Sequence, residues 1–80
     1  MAYPTIDNLI EQAKPANIRR KAGELLTDEE IRQALSNLDM ANTFCMMQSH
    51  PKERAIFNCA KAFAALAKKR GIRMDCLDKY

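Results

Sequence analysis

"LTDEEIRQALSNLDMANTFCMMQSHP", residues 26–51, decides how this chain folds. It opens on a helix-start signal. Thr27 stands where an N-cap hydroxyl is needed and Glu30 follows three residues later, the spacing of a capping box, in which each side chain satisfies a free backbone N–H of the other. Leu26 and Ile31 bracket the box at the hydrophobic staple positions. Asp28, Glu29 and Glu30 place carboxylates against the positive end of the helix dipole. The stretch closes on Pro51, which cannot donate to a preceding turn and suits the first position of a new helix, with His50 or Ser49 as cap and Glu53 completing a box-like pair with His50. The residues between predict a helix over about 28–48.

At about 100° per residue, Ile31, Ala34, Leu35 and Leu38 form a narrow apolar stripe, which Ala41 and Cys45 continue. A second set then appears. Met40, Phe44 and Met47 lie on nearly the opposite side, with Met46 on a flank, so from residue 40 to 47 the helix is apolar almost all round. The first expectation is burial on two faces, the amino-terminal helices wrapping the second. The competing one is an exposed patch of Met40, Phe44 and Met47 that binds a partner or a second copy, where flexible thioethers repack against different shapes.

Working outward, Pro51 opens a helix predicted to run to Arg70, where Gly71 suits a left-handed C′ position and Lys68, Lys69 and Arg70 fill the last turn. Its apolar face is Ile56, Cys59, Ala60, Phe63, Leu66 and Ala67. The short link to the preceding helix predicts an antiparallel hairpin. In the tail, 72–80, Ile72, Met74 and Cys76 alternate like a strand that has no partner, so a packed irregular tail is expected. Toward the amino terminus, Thr5 caps a helix after Pro4 with Ile6, Leu9, Ile10 and Ala13 at helical spacing. Pro15 ends that helix and opens another, lined by Ile18, Ala22, Leu25 and Leu26 and weakened by Gly23. The predicted architecture is all-α: one domain over 1–80, a small bundle of about four helices built on the hairpin of 28–48 and 51–70, with two short amino-terminal helices.

Composition agrees with that class. With 80 residues, 48% apolar and 29% charged, the chain is globular and near the lower size limit of a single core. Two glycines and three prolines are too few for the turns of a β-sandwich or barrel. No apolar run of about 18 residues suggests a membrane span. The opening "MAYPTIDNLIEQ" has neither a basic nor an apolar signal region, and three cysteines cannot all pair within one chain. Together these predict a cytoplasmic protein with free thiols.

Chemistry is sparse. Cys45, His50, Cys59 and Cys76 formally make a Cys₃His set, but there is no C-x-x-C knuckle, and Cys45 and Cys59 sit on the apolar stripes of their helices. No metal or other cofactor is expected. His50 has no nucleophile placed with it, the carboxylates are explained by capping, and so short a chain leaves little volume for a pocket. The expectation is that this is not an enzyme. Two basic groups remain. Arg54, Lys61 and Lys68 recur every seven residues along one helix face, with Lys69 on the flank, and Arg19, Arg20 and Lys21 form a second cluster. A solvated helix face is the commoner meaning of such a stripe; the functional one is contact with phosphates or an acidic protein groove. The net charge of +3 is modest for a dedicated nucleic-acid binder. A helix-turn-helix over 18–35 lacks the usual turn glycine in its "LLTD" link.

The expected function is therefore binding a larger protein or protein complex as a small inhibitor or regulator, of the kind carried by phages and mobile elements, with a homodimer as the self-associating form. The source follows from size and class alone. The alternative is a nucleic-acid-binding regulator that uses the basic stripe.

Overall fold

A computed structural model of the chain describes residues 5–80, which form three α-helices and a short 3-10 helix, with no strand among them. Pro4 lies outside the described residues. The capping box forms as its spacing requires: the Thr27 hydroxyl accepts from the Glu30 amide at 3.1 Å, and the Glu30 carboxylate accepts from the Thr27 amide at 3.0 Å. It starts α2, Asp28–Gln48. Leu26 and Ile31 on either side are both buried.

The amino-terminal half corrects the sequence expectation. Instead of two short helices there is one, α1, Ile6–Lys21, capped by Thr5 and running straight through Pro15. A proline inside a helix costs about 3 kcal/mol through its lost hydrogen bond and ring clash. Pro15 stands on the exposed side, however, and the buried side continues past it, from Ile6, Leu9 and Ala13 to the partly buried Ala16. Burying each Ile or Leu side chain is worth roughly 1.5–3 kcal/mol, so packing outweighs the local break. Ile18, Ala22 and Leu25, expected to line a second helix, are exposed; of that set only Leu26 enters the core. The chain leaves α1 at Gly23, whose φ of +78° closes a Schellman turn with the Glu24 amide on the Arg19 carbonyl at 3.0 Å.

Ser49 ends α2 with a left-handed φ of 51°. The imidazole Nδ1 of His50 then accepts the Lys52 amide at 3.1 Å, holding a tight turn. α3, Glu53–Lys69, begins two residues later than expected and has no side-chain cap, because Pro51 and Lys52 are spent in that turn. It ends at Gly71, φ +74°, with the Ile72 amide on the Ala67 carbonyl at 2.9 Å.

α2 is the centre of the molecule. α1 and α3 each pack along it and make few contacts with each other. End-to-end contacts set their directions: Arg19 near the end of α1 pairs with Glu30 at the start of α2, and Arg70 after α3 reaches the Leu26 carbonyl and Asp28. Both outer helices thus run antiparallel to α2. The core draws on all three, with Phe63, Ile31, Leu35 and Cys45 fully buried. The tail folds back as a 3-10 helix, Asp75–Lys79, over the seam between α2 and α3. There the Tyr80 hydroxyl donates to Asp39 at 2.7 Å and accepts from the Asn42 amide at 3.3 Å, and its ring lies 5.3 Å from that of Phe57.

Candidate functional site

Three helices fill three corners of a four-helix bundle. The fourth corner, between α1 and α3, is a cleft of about 540 Å³. This corrects the expectation that so short a chain leaves little volume for a pocket. Leu38 of α2 forms its floor, with Ala13 of α1 and Ile56 of α3 beside it. The α1 wall is a single helical row, Ile10, Lys14, Asn17 and Lys21, spaced four, three and four residues apart. The opposite wall is Lys52, just before α3, with Ala55, Asn58 and Cys59 of α3.

The rim is cationic. Lys14, Arg20, Lys21 and Lys52 line the cleft against one carboxylate, Glu11. Lys52 also pairs with Asp7 at 3.5 Å, whereas neither Lys14 nor Lys21 has an ion-pair partner among the described residues. Arg20 is fixed in place: it donates twice to the Asn17 side-chain oxygen, at 2.8 and 3.2 Å, and its guanidinium sits 5.4 Å over the Phe63 ring. Burial pushes the Cys59 thiol above its ordinary pKa, and the nearby charges of Arg20 and Lys21 only partly offset this. Cys59 is therefore a neutral thiol at pH 7 and a slow nucleophile.

The residues singled out from sequence fall in three places. Met40 and Met47 stand in solvent on the outer face of α2, 42% and 77% exposed, while Phe44 between them is half-buried against the core. The expectation that amino-terminal helices would bury this second face therefore fails for the two methionines. Leu35, Leu38 and Cys45 form the buried side of the same helix.

The basic groups differ in how far they are engaged within the protein. Arg19 is taken up by Glu24, Glu30 and the Leu25 carbonyl, and Arg20 by Asn17 and Phe63. Only Lys21 of that cluster projects freely at the cleft. Arg54, Lys61, Lys68 and Lys69 are exposed on α3, away from the cleft lining, and the Lys68 ammonium donates to the Tyr80 carbonyl at 2.7 Å. Cys45 lies in the core, Cys59 on the cleft wall and Cys76 in the tail; among the described residues no three His, Cys, Asp or Glu side chains converge on a metal-sized site.

Sequence reasoning missed Lys14, Asn17 and Lys52. Their signal was present: Ile10, Lys14, Asn17 and Lys21 form one row, but only on a helix that continues through Pro15. Dividing the chain at the proline hides it.

The chain matches no family model, no curated protein and no solved structure. Among the described residues, no helix is long and apolar enough to cross a membrane.

Proposed function

We propose that this chain is a non-enzymatic binding protein that acts on a larger protein through the cleft between α1 and α3. The observation that carries this is the open bundle corner, with its apolar floor and cationic rim. Bundles build ligand sites from side chains on facing helices, and among the described residues nothing covers these two where they face each other. The cleft chemistry suits recognition: its lining offers ammonium groups, amides, a neutral thiol and one carboxylate, with no imidazole to act as base. A small helical module of this kind suits a cytoplasmic inhibitor or regulator such as phages and mobile elements carry.

The nucleic-acid alternative draws support from Arg54, Lys61 and Lys69, which are exposed on α3 and unpaired among the described residues. It is the weaker reading, because Arg19, Arg20 and Lys68 are already engaged within the protein.

Immobilised protein incubated with a lysate, with and without nuclease, separates the two. Ala55→Arg plugs the cleft from an exposed position, and Arg54→Glu with Lys61→Glu reverses the stripe. Capture of a protein that survives nuclease and is lost with Ala55→Arg alone supports the cleft. Recovery of nucleic acid that is lost only with the charge reversals refutes it.

A further inference from the structure

We infer that the cleft takes an amphipathic α-helix of the partner protein bearing carboxylates seven residues apart, docked antiparallel to α1 and α3 so that it completes the four-helix bundle. This rests on the proposed protein-binding role of the cleft and specifies its occupant.

Shape comes first. The α1 wall from Ile10 to Lys21 spans eleven residue steps, about 16 Å at 1.5 Å rise per residue, or three turns. A helix about 10 Å across and of that length fills roughly 1,200 Å³, so half-embedding it requires about 600 Å³. The cleft offers about 540 Å³. A drug-sized molecule is usually enclosed over most of its surface, whereas this cleft is partly open to solvent.

Direction follows from topology. α1 and α3 both run antiparallel to α2, so a helix placed between them completes an up-down arrangement by running antiparallel to both.

Charge then selects among helices. Leu38, Ala13 and Ile56 accept an apolar stripe. Lys14 and Lys21, about 10 Å apart along one face and unpaired among the described residues, meet acidic residues at i and i+7 on the flank that faces α1. Lys52, although paired with Asp7, adds a further cation on the opposite wall, and among the described residues Glu11 is the one carboxylate in the lining. A helix with basic flanks meets repulsion at each of these positions.

The test uses the full chain, labelled for amide NMR, and two synthetic helical peptides of about 15 residues. One has a leucine stripe flanked by glutamates at i and i+7; the other has lysines at those two positions. The acidic peptide should bind at least tenfold more tightly and shift amides of Ile10–Lys21 and Lys52–Cys59. It should slow alkylation of Cys59 and lose affinity as salt rises. The double variant Lys14→Glu, Lys21→Glu changes exposed residues only, keeps its helical circular dichroism, and should prefer the lysine peptide.

Equal affinity for the two peptides, binding of neither at about 1 mM, or no change of preference in the double variant overturns the inference. So do shifts confined to the Met40 and Met47 face, which would move protein binding to another surface. A lysate partner lost with Ala55→Arg but not displaced by the acidic peptide leaves the proposed function standing and this occupant refuted.

Discussion

Truncating Phe63 to alanine should remove a large part of the protein's stability. Phe63 is the largest fully buried side chain, at 0% exposure, where the core meets the end of the cleft. A phenylalanine buries about 150–250 Å², worth roughly 4–6 kcal/mol at about 25 cal/mol per Å². Alanine keeps a fraction of that and the neighbours relax partly, which places the loss at about 3–5 kcal/mol. The Arg20 guanidinium stacked on the ring adds about 0.5–1 kcal/mol. A chain of 80 residues is expected to have roughly 4–12 kcal/mol in total, so the variant sits near its unfolding threshold. Its Tm should fall by about 15 °C or more. Urea melts followed by circular dichroism measure the loss, with Phe57→Ala as reference. Phe57 is 36% exposed, and its truncation should cost about 1 kcal/mol. If Phe63→Ala melts with the parent, or costs less than Phe57→Ala, α3 does not bury the face described here.

Thr27→Ala should cost about 1 kcal/mol by removing the acceptor of the Glu30 amide, measured by the same melts. The Thr27 amide holds the Glu30 carboxyl below the usual glutamate range, so its stabilisation is present at neutral pH and fades as pH falls through that lowered pKa. Glu30→Gln should flatten the acid limb of a stability–pH profile, and an unchanged limb would count against the box. Ser49→Gly relieves a left-handed backbone and should raise stability by about 0.5 kcal/mol; a decrease would show that the Ser49 side chain matters more than its φ. Burial, and then the Asp39 carboxylate, raise the Tyr80 phenol above the ordinary tyrosine range, so its contribution is intact below that range and lost as pH rises from there through the raised pKa. In a Tyr3→Phe background, phenolate absorbance should appear later than for free tyrosine, and Asp39→Asn should bring it back toward normal.

Local chemistry was legible from sequence wherever one or two neighbouring residues decide the outcome. Thr27 with Glu30, Thr5, and Gly71 act within a single turn, and each forms the end it encodes. Pro15 is local too, but its effect is settled by Leu9, Ala13 and Ala16 packing elsewhere, which the proline itself does not report. The exposure of Met40 and Met47 likewise depends on which side of α2 its neighbours choose. The cleft was least legible of all. Its existence is a distance between two helices that share no sequence neighbourhood, and half of its wall lies on a helix that a local reading of Pro15 divides in two.

The central placement of α2 also bears on how the chain reaches this state. Each large interface joins helices that are consecutive along the chain, α1 with α2 and α2 with α3. Neither has to search across a long loop, so the entropy of closure is small at each step. Low contact order of this kind goes with folding in microseconds to milliseconds. Two hairpins can close independently on one shared helix, and the contacts of greatest sequence separation, Lys52 with Asp7 and Arg70 with Leu26, are left to form last. A destabilised α1 would then leave the hairpin of α2 and α3 as the first refuge of the chain, a half-structure whose open side is the one α1 normally covers.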